Sequence, residues 1–289
     1  MENLKISVIT PSFNSADYIE RAIKSVIDQN YNNFEHIIID NCSTDGTIEI
    51  LKKYPHLIWK SEKDTGQSNA MNKGFELSSG EIIVYLNCDD YFKTDTFFQV
   101  NECFNKDQNI KILFGNVYIH LLDGRNVEVE PKVYFQDIIY HWEGWKKIGD
   151  NKFQSNFPNN PVQYFYKREV QSLIPFNESN HYTMDLEFLV NVTYKYKENI
   201  KKVNHIFGHY ILLNDAKSIA AQRKKDYWTY KTFSYIDDKL KVFDLDYIIQ
   251  YKNRQSVGYL NKTLEQFEKN KYSQSTKQLL KELLKRLFK

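Results

Sequence analysis

An apolar run, Ile82-Ile83-Val84-Tyr85-Leu86, ends in Asn87-Cys88-Asp89-Asp90, with two adjacent carboxylic acids. Like charges side by side repel, and burial raises that cost. A divalent cation, a hard ion that takes oxygen ligands, would offset it. The plain alternative is a turn in which Asp90 caps a helix beginning near Thr94. A second acid pair, Asp185-x-Glu187, lies far along the chain. At a helix start such acids interact favourably with the helix dipole. One of them within hydrogen-bond reach of a hydroxyl can also act as a general base. His205 and His209 stand four apart, but no H-E-x-x-H surrounds them, so strand or loop histidines fit better than a zinc pair.

The elements that must position these groups are legible as alternating strands and helices. Lys5–Thr10, Phe34–Asp40, Leu57–Lys60 and the Ile82 run read as strands. Asp17–Gln29, Thr47–Lys53 and Gln67–Leu77 read as helices between them. Such alternation implies an α/β fold, a Rossmann-like, mostly parallel sheet with right-handed crossovers and helices on its flanks. Polar residues cluster where each strand ends: Thr10–Asn14, Asp40–Asp45, Ser61–Asp64 and Asn87–Asp90. In an open α/β sheet, ligands bind beyond the carboxyl ends of the strands. Taken singly, each cluster also fits an ordinary turn; jointly, four on one edge point to one site. The G-x-G-x-x-G and P-loop fingerprints are absent. A nucleotide would instead need Phe13 or Pro11 against its base and Asp40 accepting a ring N–H.

Composition narrows the function class. Lys+Arg 39 against Asp+Glu 37 gives no basic excess and argues against a nucleic-acid partner. The three cysteines form no C-x-x-C pair, which suits a reducing compartment. The first ten residues lack signal-peptide regions, and no apolar run approaches the ~20 residues of a membrane span. A cytoplasmic location is expected.

Val8-Ile9-Thr10-Pro11-Ser12-Phe13-Asn14, Ile38–Thr47, Asp64–Gly74 and Leu86–Asp90, in that order, resemble the successive motifs of family 2 glycosyltransferases. The resemblance covers roughly the first 95 residues and returns near 160–190. It implies a GT-A fold. By resemblance, Thr10, Pro11 and Phe13 line the nucleoside pocket and Asp40 contacts the base. Asp64, Asn69 and Lys73 border the ribose and diphosphate, and Asp89 is the metal-facing acid of a D-x-D motif, holding Mn2+ or Mg2+. Asn87 stands in the first acidic position, which removes one negative charge from the donor site; Asp90 compensates. Asp185 takes the place of the family's base, with Glu187 supporting it. One base and no second carboxylate nucleophile imply a single displacement with inversion.

The resemblance implies a nucleotide-sugar donor, UDP-linked, and a saccharide or lipid-linked saccharide acceptor of the bacterial surface-polysaccharide kind. Residues 1–218 are expected to form the catalytic domain, with a nucleotide half to about 95 and an acceptor half after it. Residues 219–289 are expected to form a helical extension. Its last stretch, 277–289, sets Leu279, Leu280, Leu283, Leu284 and Leu287 among lysines, as a peripheral membrane contact or a protein-packed helix would. Tyr140, Trp142 and Trp145 read as core or lid. A homo-oligomer is left open. Two other readings compete. A sugar nucleotidyltransferase wants a glycine-rich basic loop after the first strand, and Thr10–Asn14 has none. A non-catalytic nucleotide-sugar-binding module is favoured only by Asn87.

Overall fold

The computed structural model describes residues 2–138, 145–158, 160–181 and 183–213. The helical extension, the 277–289 segment, Tyr140 and Trp142 lie outside the described residues. The nucleotide half is β1 (Ile6–Ser12), α1 (Ile19–Ile27), β2 (Phe34–Asp40), α2 (Thr47–Leu51), β3 (Leu57–Ser61), α3 (Gln67–Leu77) and β4 (Ile82–Tyr85). It is followed by β5 (Tyr91–Phe92), α4 (Thr96–Lys106), β6 (Ile112–His120), β7 (Asn126–Pro131), α5 (Phe135–Ile138), β8 (Lys146–Gly149) and β9 (Lys152–Ser155). β10 (Tyr164–Lys167), α6 (Arg168–Leu173), α7 (Met184–Lys195) and β11 (Ile200–Ile211) complete the described chain.

The sheet runs β3-β2-β1-β4-β10-β6-β7-β9-β8, with β11 beside β6 and β5 beside β11. β3, β2, β1 and β4 are parallel, so their carboxyl ends share one edge. Beyond β4 the sheet is mixed: β10 runs antiparallel to both β4 and β6. Two reversals restore direction, so β6 points the same way as β4, and β11 pairs parallel with β6. His209 is therefore a strand residue, as its sequence context indicates.

Strands buried on both faces need apolar residues at every position, and β4 is buried throughout. One face carries Ile6, Val8, Val84, Leu86, Val117 and Phe165, packed with Ala22 and Val26 of α1 and Phe97, Val100 and Phe104 of α4. On the other face α3 lies close to β1. A Cβ on Gly74 would stand 2.3 Å from Ile9 Cγ2, so glycine in this helix is set by close approach. An aromatic series, Tyr85–Phe176, Phe176–Phe188 and Tyr166–Phe188, joins β4 and β10 to α7 on the same face.

The strand β1 continues through Pro11 to Ser12, two residues past the expected stop, because its register with β2 extends to Ser12 opposite Asp40. The helix expected near Thr94 begins at Thr96, and Asp95, in the left-handed region at φ 66°, precedes it. Trp145 is exposed at the sheet margin and meets Phe153.

His36 of β2 is fully buried, with its Nε2 at 2.9 Å from Thr10 Oγ1. Burial, with a smaller contribution from His56, pushes its imidazole from 6.5 down to about 3. Below pH ~6.5 the unfolded chain binds a proton here that the folded chain refuses. The stability His36 contributes is therefore complete above that pH and is lost as pH falls towards 3. Thermal melts from pH 7 to pH 4 should show a falling Tm, and His36→Gln, which cannot ionise, should flatten the slope. An unchanged slope would assign the acid sensitivity to other groups.

Candidate active site

Each strand-end loop is built by side chains bonding backbone. In the β1–α1 loop, Asn14 accepts from Thr44 N at 3.0 Å, and its own N–H donates to Ser43 Oγ at 2.7 Å. Asp45 accepts from Ala16 N and Thr47 N. Asn41 accepts from Asp64 N at 3.0 Å, tying the β2–α2 loop to the β3–α3 loop. Three polar clusters that were separate in sequence are thus one bonded surface.

Within it, residue roles divide. Phe13 is 59% exposed, an aromatic face beside a polar rim. Pro11 is half-buried, and its carbonyl accepts from the Cys88 thiol at 3.3 Å, tying the end of β1 to the end of β4. Asp40 is fully buried and accepts from Ser43 N, Ser43 Oγ and Ser61 Oγ. That is the turn role which its position at the end of β2 allows. Thr10 is also fully buried and turns to His36, so its side chain does not line the open edge. Asp64 is half-buried; burial raises its pKa, opposed by the Gly66 N–H and the Lys73 charge. Lys73 is held by Glu62 at 2.8 Å and by the Lys63 carbonyl.

The acid pair is split by its surroundings. Asp90 has no exposed surface. One oxygen accepts from Asn87 Nδ2 at 3.0 Å and Asn160 Nδ2 at 2.7 Å, and the other from Ile211 N at 3.0 Å. Burial, then the neighbouring Asp89 charge, pushes its pKa up to about 8. Asp90 therefore joins the end of β4 to the loop before β10 and to the end of β11, and does not face the donor. Asp89 is half-buried, and Arg21 fixes its turn by donating to its carbonyl at 2.7 Å. The Asn87 oxygen accepts from Gln67 and its amide donates to Asp90. A carboxylate at 87 could not donate that bond.

Among the described residues, no three His, Cys, Asp or Glu side chains converge as a metal cage. The donor set fits a cation held by the Asp89 carboxylate together with substrate phosphates, the way Mg2+ is commonly bound.

The segment 174–183 carries the second acid pair to the same edge. Asn72 bonds the Phe176 backbone through both ends of its amide. Asn69 and Asn72 each donate to Glu178, at 2.9 and 3.0 Å. Asn69 therefore clamps the chain across α3, where the resemblance puts it beside the ribose. Gly66, at φ 134°, lies under His181; a Cβ there would be 3.0 Å from the imidazole. Glu187 is buried and accepts from Asn177 and Asn180. It holds the loop that enters α7, a supporting part. Asp185 sits in the first turn of α7, half-buried, where its oxygen accepts from Leu186 N. Its charge adds to burial in raising the Tyr164 phenol, which places it close to the start of β10. Because β10 is antiparallel to β4, that start lies at the carboxyl edge of β4.

Sequence reasoning missed Asn160, Glu178, Asn177, Asn180 and Arg21. Asn177 and Glu178 lie within the stretch near 160–190 where the resemblance returns, with no role assigned, and Asn160 left a local signal: Asn160-Pro161-Val162-Gln163 is a capping box with proline inside it, and both reciprocal bonds form. Replacing Asn87 by Asp should cost about 1–3 kcal/mol, because it removes a donor from a buried acid and adds charge beside it. Denaturant unfolding of Asn87→Asp checks this; wild-type stability would mean the amide does not hold Asp90.

The family described as "Glycosyl transferase family 2" matches residues 7–169. TuaG of Bacillus subtilis (strain 168), named for teichuronic acid biosynthesis, is 43% identical over 96 residues, 31% of this chain and 38% of that protein. YibD of Escherichia coli (strain K12), named an uncharacterized glycosyltransferase, is 36% identical over 90 residues, 30% of this chain and 26% of that protein. The chain thus matches well under half the length of these relatives. Among solved structures, S. aureus TarS 1–349 in complex with UDP has TM-score 0.55 and 22% identity, covering 73% of this chain and 61% of that one. Glucosyl-3-phosphoglycerate synthase of Mycobacterium tuberculosis, in complex with Mn2+, UDP and glucosyl-3-phosphoglycerate, has TM-score 0.56 and 16% identity, covering 81% and 80%. These two likenesses establish the fold. The family match runs from β1 to the start of α6, more than half of the chain, and the chain accordingly belongs to glycosyltransferase family 2, an enzyme family whose GT-A architecture is the sheet described above.

Proposed function

We propose that this glycosyltransferase moves a sugar from a UDP-linked donor to an acceptor hydroxyl with inversion, in bacterial surface-polysaccharide or glycolipid synthesis. The observation that carries the proposal is the arrival of two acids from distant segments, Asp89 and Asp185, at one sheet edge where each meets solvent. The UDP bound to TarS and the naming of TuaG support the donor and the pathway class.

In this reading Phe13 packs on the base, and Asp64 meets the ribose. Asp40 shapes the base pocket through the Ser43 turn. Asp89 would hold the divalent cation, Mn2+ or Mg2+, whose chemistry is to neutralise the leaving diphosphate. Asp185 takes the proton of the acceptor hydroxyl. The acceptor oxygen then forms its bond to the anomeric carbon as the bond to the diphosphate breaks on the opposite face. No general acid is needed, because the diphosphate leaves as a stabilised anion. The described residues contain no helix long and apolar enough to cross a membrane. A peripheral contact through 277–289 at the inner face of the cell membrane rests on the sequence pattern alone.

Calorimetric titration with UDP, dTDP and GDP, with and without Mn2+, tests the donor assignment. UDP should bind, and more tightly with Mn2+; binding of none of the three would remove the reading. Asp185→Asn should leave UDP affinity within about twofold, while transfer of labelled sugar to a cell-envelope extract falls by about 10²–10⁴. Transfer that survived would take the base role from Asp185.

A further inference from the structure

A cleft of about 410 Å³ opens at the carboxyl end of β6 and β11. Small-ligand sites commonly span ~300–1,000 Å³. Its walls include Tyr118, His120 and His209 from those strands, Asn126 and Glu128 from β7, and Asn151 from the β8–β9 turn. None of these residues has a part in the donor or base roles above.

The cleft is next to the donor edge. β6 points the same way as β4, so Tyr118 and His120 lie towards the end of the sheet that carries Asp89. Tyr91, two residues past Asp89, stacks on His209 with ring centres 4.3 Å apart. Arg21 joins the two places, bonding the Asp89 carbonyl and lying over the Tyr91 ring at 4.9 Å.

Its chemistry is selective. His120 Nε2 and His209 Nδ1 are 3.0 Å apart, so one proton lies between them. In a neutral pair sharing one proton, the two outer nitrogens are one donor and one acceptor, whichever tautomer holds. Burial and the nearby Arg21 charge lower His120, opposed by its side-chain hydrogen bond with Asn126, and burial, His120, Lys93 and Arg21 bring His209 down to about 4. Asn126, which hydrogen-bonds His120, and Asn151 are both exposed and bring amide groups to the same wall. The Glu128 charge is matched by Lys152 at 2.9 Å, and Asp150 at the rim is acidic. Groups that both donate and accept suit hydroxyls. An anion would meet the Asp150 carboxylate and no unpaired cation among the lining residues, and Tyr118 supplies one apolar ring. We propose that this cleft binds a neutral pyranose ring of the acceptor saccharide, beside the donor sugar. The acceptor label rests on the transferase reading; the preference for a neutral, hydroxyl-rich ring does not.

Saturation-transfer difference NMR on the full chain, with glucose, galactose, N-acetylglucosamine and glucuronate as separate probes, tests the proposal. At least one neutral sugar should give ring-proton signals that persist when UDP is added and should shift the His120 and His209 Cε1–H resonances. The double variant Asn126→Ala, Asn151→Gly removes both amides, and glycine retains the left-handed backbone of residue 151, φ 50°. It should weaken that sugar about tenfold while UDP affinity stays at the wild-type value, which also certifies folding. Signals from glucuronate alone, signals lost on adding UDP, unshifted histidines, or equal binding by the variant would each overturn the cleft assignment. Absence of any signal would do so as well. Failure of UDP itself to bind would instead strike the transferase reading and leave a sugar site standing.

Discussion

A carboxyl group cut off from water sits where three parts of the chain meet, and the geometry of the site depends on it. Burying Asp90 without partners would cost several kcal/mol, so its position is over-determined. Asn87, Asn160 and the Ile211 N–H all point at its two oxygens. Removing any one leaves a buried acid short of a donor. The turn that presents Asp89 is therefore held from inside by Asp90 and from outside by Arg21. A flexible turn would spread the Asp89 carboxylate over many positions. This one holds its backbone at a fixed place.

The same division recurs among the other acids. Asp40, Glu178 and Glu187 are each tied by two or more donors, and they hold loops together. Asp64, Asp89 and Asp185 are half-buried at the edge those loops form. Charged groups that order the backbone must be saturated to offset their desolvation. Groups that meet a substrate must keep room for it. A sequence shows both kinds as the same letter, and only the tertiary setting separates them.

The first ninety residues were legible because local signals agreed there. β2 and α3 fall at the bounds their patterns indicate, and the four polar clusters do share an edge. What was not legible is long-range. Lys73 and Asn69 each meet a carboxylate that their sequence neighbourhood does not announce, Glu62 and Glu178. That the Asn87 amide donates to the buried Asp90 is likewise a tertiary fact. Arg21 sits on an amphipathic helix and gives no sign of meeting Tyr91, 70 positions away. Such pairings follow from tertiary closure, which no local period encodes.

Closure itself follows from one reversal of direction. β4 has a parallel neighbour, β1, on one side and an antiparallel one, β10, on the other. An antiparallel strand begins where its neighbour ends. The loop before β10 is therefore delivered to the carboxyl end of β4, and with it Asn160. β6 reverses again, so β11, parallel to it, ends at that same edge and supplies the Ile211 N–H. Had β10 been parallel, its start would lie at the opposite edge, and Asp90 would lack one of its side-chain donors. Ligands in open α/β sheets gather where strand order or direction changes. Here the change does more than leave a crevice: it brings in the donors that stabilise a buried acid and, with it, the turn that carries the half-buried Asp89.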